Sequence, residues 1–250
     1  MAESRIATTH SGFGVTTRRD AWWLELIPVV LVLGAFSIYA TWRTFENAYY
    51  EFGPYLSPFY SPLIKPRWWP LSPAILILWA PLGFRATCYY YRKAYYRAFF
   101  LDPPACAVGE SHPHRYSGET RFPFILQNLH RYFLYVALIF LVILWYDAIS
   151  AFWFVGHPGV GVGSLVLLAN IVLLSFYTFS CHSLRHMVGG KLDCFSCVAL
   201  GGPRHAAWRG TSFLNEHHML FAWLSLFSVG LADLYIRLVA SGSIHDLRLL

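Results

Sequence analysis

Residues 180–190 read SCHSLRHMVGG, a thiol and two imidazoles closing a run otherwise as apolar as a bilayer interior. Thiolates and imidazoles are the common protein ligands of zinc, haem iron and iron–sulfur centres. His182 and His186 are spaced i, i+4, so a helix sets both on one face, a spacing that serves one metal. Cys181 is rotated by about 100° from His182 on such a helix, and a group lodged between helices can still meet one of each. His130, His217 and His218 stand at the ends of two further apolar runs. Cys88 closes another, between Arg85 and Arg92. Cys106 follows LDPPA, where Pro103 and Pro104 break a helix and turn the chain back.

Three metal chemistries compete for these residues. A haem b needs two axial histidines at one depth, and His182 or His186 with His130 or His218 would suffice. The cysteines would then be incidental. Two stacked haems are disfavoured, because the first two apolar runs carry no histidine. A Rieske-type [2Fe–2S] centre uses both residue types, two thiolates on one iron and two imidazoles on the other. A structural zinc site inside a bilayer has no evident folding task. The CFSC pair, Cys194 and Cys197, has no second pair, although His205 and His217 could complete a zinc site on paper. It reads as incidental, and a disulfide is not expected there if the loop faces a reducing compartment.

Other polar groups point to a second ligand. Arg121, His130 and Arg131, in ETRFP and QNLHRYF, could offer hydrogen bonds and protons to a quinone carbonyl at the membrane edge. The plain account of the same residues is an interfacial belt with snorkelling arginines. The run YYYRKAYYRAFF reads as an interfacial helix or a docking face for a soluble partner. Asp147 and Asp233 read as reaching water at the far ends of their runs.

These residues need elements to hold them at one depth. The 250-residue chain is 56% hydrophobic and 18% aromatic, with 13% charged and a mean hydropathy of +0.44. That composition belongs to membrane proteins and excludes an ordinary soluble enzyme. Five apolar segments, near 22–42, 73–91, 124–147, 163–182 and 219–240, approach the roughly 20 residues a spanning helix needs. Pro81 and Gly83 predict a kink in the second. Trp22, Trp23, Trp42, Trp68, Trp69 and Tyr89–Tyr91 mark the edges, where amphipathic rings favour the headgroups. The first segment is too long for a signal-peptide core and lacks a small-residue cleavage site, so it reads as a retained span.

Placing the N-terminus in the cytoplasm leaves only Arg43, Lys65, Arg67, Arg237 and Arg248 outside, of nineteen lysines and arginines. The positive-inside rule therefore puts the C-terminus outside. The net charge of +6 reads as topology and not as a nucleic-acid signal. All five cysteines and all but His157 and His245 among the histidines then fall on the inner side. The expected fold is an all-α membrane protein, a bundle of five transmembrane helices over 22–240. A cytoplasmic tail (1–21) precedes it and a short outer tail (241–250) follows.

FRATCYYYRKAYYRAFF, PPACAV, GETRFPFILQNLHRYF, SCHSLRH, FLNEHHMLFAW and DLYIRLVASG resemble the membrane-anchor subunit of actinobacterial-type, haem-less succinate dehydrogenases, over roughly residues 20–250. The resemblance implies a five-helix anchor beside a flavoprotein and an iron–sulfur subunit. It also implies a membrane-embedded Rieske-type cluster passing electrons to a quinone. Its motif positions are Cys88, Cys106, Cys181, His182, His186 and His218, of which four can be ligands. Cys88 and Cys106 are favoured for the thiolate iron, with Cys181 as substitute. His218 with His182 or His186 is favoured for the imidazole iron. Leu184 stands where relatives tend to carry cysteine, and Cys194 and Cys197 are not family features.

The reading is an anchor and electron-transfer subunit in the plasma membrane, working with menaquinone or another quinone and never touching succinate. A haem b anchor is the alternative, and a membrane thiol–quinone oxidoreductase a further one.

Overall fold

The computed structural model describes residues 12–110, 120–122, 124–190 and 192–249. His10, His112, His114 and Glu119, with Arg5, Arg115 and Lys191 of the charge count, lie outside the described residues. Helix dominates the rest: α1 (Leu26–Glu46), α2 (Pro73–Ala86), α3 (Tyr89–Tyr95), α4 (His130–Ser150), α5 (Val162–Phe179), α6 (His182–Arg185), α7 (Gly201–Glu216) and α8 (His218–Ala240). Two small antiparallel hairpins, β1–β2 (Glu51–Phe52, Tyr55–Leu56) and β3–β4 (Trp153–Phe154, His157–Pro158), sit in loops.

Among the described residues, four helical segments, Trp22–Glu46, Ile125–Ser150, Val162–Phe179 and His218–Ala240, are long and apolar enough to cross a membrane. The fifth apolar run differs from expectation. It forms the 14-residue α2, which at about 1.5 Å per residue falls short of a hydrocarbon core of about 30 Å. The helix runs on through Pro81 and Gly83 and stops at Ala86. The break comes at Cys88, whose backbone is extended (φ −64°, ψ 131°) before α3 begins.

The chain divides into two units, residues 1–39 with 86–128, and residues 40–85 with 129–250. In the first, the segment before α1 is tied to the loop after α3. Thr16 pairs with Val108, and the Thr16 hydroxyl donates to the Ala107 carbonyl at 2.7 Å. Arg18 bridges Asp20 and donates to the Cys106 carbonyl at 3.1 Å. Its guanidinium holds the Asp20 carboxyl below the usual carboxylate range. Gly109 permits this approach, since a Cβ there would lie 2.1 Å from the Gly12 carbonyl oxygen.

In the second unit α5 packs against α8 and α4. The core joins Leu141 and Ala148 of α4, Leu167 and Ile171 of α5, and Ala232 and Ile236 of α8, closed by Tyr55 and Phe154 from the hairpins. The hairpin end also carries a buried ionic cluster. Arg237, 3% exposed, donates to Asp233 and to Glu46, each at 2.8 Å, and to the Ala48 and Arg43 carbonyls. Asp233 is fully buried and also accepts from Ser57, while Ser61 donates to Asp147. The expectation that Asp233 reaches water is therefore wrong: the returning loop seals it, and its charge is matched inside. Burial pushes the Tyr55 phenol up to about 12, with the Asp246 carboxylate it donates to adding to the shift.

Candidate functional site: the thiol–imidazole end of the second unit

At the other end of the second unit, α4 starts, α5 stops and α8 starts. The chain does not run straight from α5 into the SCHSLRH stretch. Helix α5 ends at Phe179, Cys181 takes an extended conformation (φ −63°, ψ 133°), and α6 restarts at His182. The break turns the Cys181 side chain inward, where it is 1% exposed. Its Sγ lies 3.1 Å from Nε2 of His130, the first residue of α4. His130 is held by stacking on Phe84, with ring centroids 4.8 Å apart and planes within 4°.

His218 opens α8 and is held by two other groups. Its ring stacks on Tyr177 at 5.3 Å, and its Nδ1 is 2.6 Å from the Ser180 hydroxyl. That hydroxyl donates to the Tyr177 carbonyl at 2.9 Å. With its one proton so committed, Ser180 accepts from His218 Nδ1–H, which leaves the lone pair on Nε2. Metal-binding histidines take this form, with one nitrogen donating to a fixed acceptor and the other turned to the metal. Asn215 fixes the acceptor in turn, its amide donating to the Ser180 carbonyl at 2.7 Å.

The two histidines are linked by aromatic rings. Phe84, stacked on His130, meets Tyr177 edge-on at 5.5 Å, and Tyr177 stacks on His218. Arg85 lays its guanidinium over the Tyr177 ring at 4.6 Å and donates to Ser225 at 3.0 Å. A positive charge is thereby fixed against a buried aromatic wall, in reach of the same end. Its position in an apolar run was a visible signal. Tyr177, Ser180 and Asn215 had none, because their roles depend on the break at Cys181.

The other expected residues fall differently. His182 is exposed and His186 half-buried, and His186 begins a π-helical turn, His186–Gly190. Leu184, which stands where relatives of the resembled family tend to carry cysteine, is buried. Cys88 and Cys106 belong to the first unit, Cys88 at 3% exposure and Cys106 exposed. Arg121 is exposed in the first unit, and Arg131 is exposed on α4 beside His130. Among the described residues, no three His, Cys, Asp or Glu side chains are gathered around one metal-sized point. What they bring together is one thiol and one imidazole, Cys181 and His130, with His218 oriented in the same wall. Cys194 and Cys197, expected as free thiols, are joined as a disulfide.

The family model for actinobacterial succinate dehydrogenase subunit SdhC matches residues 24–242. The chain belongs to this family. It is thus a multi-pass protein of the cell membrane and a subunit of a succinate dehydrogenase. A solved structure described as the Mycobacterium smegmatis Sdh1 complex in the apo form contains a chain 46% identical, with a TM-score of 0.86 over 94% of each chain. No curated protein matches. Leu31, Ile38, Trp42 and Phe45 of α1 and Ile139 and Val142 of α4 are exposed apolar side chains.

Proposed function

We infer that this chain is the membrane anchor of a succinate:quinone oxidoreductase. It sits beside flavoprotein and iron–sulfur subunits and conducts electrons through a Rieske-type [2Fe–2S] cluster to a quinone, menaquinone in the favoured reading. In this reading α2 and the start of α3 complete a fifth crossing, and the N-terminus is cytoplasmic. Family membership supports the complex and its membrane setting. The observation that carries the cluster is the contact between Cys181 Sγ and His130 Nε2, in a wall that also holds His218. A haem site would use the imidazoles and leave the buried thiol without a task.

Such a cluster, when bound, supplies a one-electron carrier whose potential is raised by its imidazole ligands. In the second unit His218, with His182 or His186, would supply the imidazoles, and Cys181 is the substitute thiolate. The family resemblance assigns thiolates to Cys88 and Cys106. The chain's own residues do the rest. Ser180 and Asn215 hold the His218 tautomer, and Phe84 and Tyr177 keep water from the imidazole pair. Arg85 provides a positive charge that favours arrival of an electron. Arg121, His130 and Arg131 remain the proposed quinone donors.

EPR of the reduced intact complex tests the reading. A Rieske-type signal is expected in addition to those of the soluble iron–sulfur subunit. It should disappear in His218→Ala and in Cys88→Ser. An unaltered signal in His218→Ala would remove this imidazole from the site, and no such signal in the parent complex would end the cluster reading.

A further inference from the structure

The CFSC turn is the motif that the electron-transfer reading leaves unused. Cys194 and Cys197 are bonded to each other with Cα atoms 5.4 Å apart. So short a loop removes little chain entropy, because the closure term grows with the logarithm of loop length, so stapling the fold is a poor account of this bond. The loop charges assign the turn to the cytoplasmic side. Disulfides there are rare, and when present they are usually transient, catalytic or sensing.

What the turn holds in place supplies a task. Phe195, between the two cysteines, is packed against the π-helical turn His186–Gly190. A Cβ on Gly189 would lie 2.8 Å from its ring, so only glycine admits it there. On its other side the Phe195 ring meets His205 at 5.0 Å and Trp208 at 5.9 Å, both on α7. Trp208 carries the Arg185 guanidinium at 5.1 Å, and Arg185 donates to Ser212 at 2.7 Å. Arg204 donates to the Val188 carbonyl at 3.2 Å and the Leu192 amide to the Gly189 carbonyl at 3.1 Å. The carbonyl of Phe195 is pressed so close to Gly201 that a Cβ there would lie 1.8 Å away. The bonded turn is therefore a clamp, and its jaw is a phenylalanine seated against the segment that follows His182 and His186.

We propose that the Cys194–Cys197 disulfide is a thiol-exchangeable site whose redox state sets the order of residues 182–190. Cys197 is exposed and Cys194 half-buried, so exchange begins at Cys197. A thiolate of an external dithiol attacks the Cys197 sulfur, the S–S bond breaks, and Cys194 leaves as a thiolate that takes up a proton. The second thiol of the dithiol resolves the mixed disulfide, releasing Cys197 as a thiol and the reagent as its own disulfide. Two electrons and two protons pass to the protein. The two cysteines are then free to separate, and Phe195 loses the tie that holds it against Gly189. This inference stands whether or not His186 binds a cluster.

Thiol trapping and hydrogen exchange on the intact complex test it, with dithiothreitol as the dithiol. Acid-quenched, alkylated membranes should carry no label on Cys194 and Cys197 before reduction and two labels after it. Amide exchange across 182–190 should become severalfold faster on reduction. Cys194→Ser/Cys197→Ser should show the fast rate in both conditions, while the β3–β4 hairpin exchanges equally in all samples. Label on both cysteines without reductant would overturn the proposal. So would equal exchange of 182–190 in the oxidised and reduced parent complex, a comparison that needs no variant to fold.

Discussion

The sulfur of Cys181 and Nε2 of His130 are 3.1 Å apart, although 51 residues separate them in the chain. One belongs to a helix break and the other to a helix start, so their meeting fixes the entry of α4 against the α5–α6 junction. The thiol is buried and a second imidazole, His218, is oriented through Ser180 in the same wall.

If the proposed Rieske-type cluster is present, replacing Cys181 by alanine should abolish or strongly alter its EPR signal and leave the soluble subunit's signals intact. His130→Phe preserves a ring for Phe84 to stack on and removes the nitrogen at Cys181. If His130 tunes the thiolate and does not bind metal, this variant keeps the signal and shifts its midpoint potential. Loss of the signal in His130→Phe would make His130 itself the ligand. An unchanged spectrum and potential in both variants would show that this contact has no part in the electron path.

Pyridine haemochrome analysis of the purified complex should find haem b well below one per anchor. The imidazoles of His130 and His218 are joined by a run of packed rings, Phe84 and Tyr177, and one imidazole is engaged with a thiol. Stoichiometric haem would require that wall to open and would replace the cluster by the alternative cofactor.

Much of this arrangement was visible in the sequence, and the parts that were not have a common cause. Hydropathy located the four long helices and α2, and residue type singled out Cys181, His130 and His218. The breaks at Cys88 and Cys181 were invisible because no proline or glycine occupies either position. Each cysteine instead takes an extended backbone, and its carbonyl accepts from the amide four residues on, at Arg92 and Arg185. Asp233 and Arg237 show the i, i+4 spacing of an ion pair. Their burial depends on Glu46 at the end of α1 and on Ser57 and the Ala48 carbonyl in the loop after it, all far away in the chain, which no local pattern reports. Trapping of Cys194 and Cys197 in one bond likewise depends on the fold of the turn.

The ionic cluster at the hairpin end should dominate the stability of the second unit. Arg237→Met leaves the fully buried Asp233 carboxylate without its matching cation, and breaking a buried pair in this way costs about 3–5 kcal/mol. The double change Asp233→Leu/Arg237→Met removes both charges and should lose less than Arg237→Met alone. Thermal unfolding of the detergent-solubilised complex, followed by intrinsic fluorescence, measures both. Equal stability of Arg237→Met and the parent would mean that the pair is hydrated.

A last prediction links packing to the site through one glycine. Gly83 of α2 faces Phe133 of α4 so closely that a Cβ would lie 2.2 Å from the ring. The ring must move to admit a methyl group, and such overpacking costs about 1–3 kcal/mol. Phe133 lies three residues beyond His130, on the adjacent turn of α4, and Phe84, next to Gly83, is the ring on which His130 stacks. Gly83→Ala therefore presses on both supports of His130 at once. We expect it to lower the thermal stability of the complex and to slow succinate-driven reduction of a quinone analogue, without loss of the soluble succinate–dye activity. Gly83→Ala/Phe133→Leu restores room and should recover most of both losses. If the double variant recovers stability but not quinone reduction, the ring at 133 has its own part in the electron path. If Gly83→Ala leaves both measurements unchanged, the close approach of α2 and α4 does not position His130.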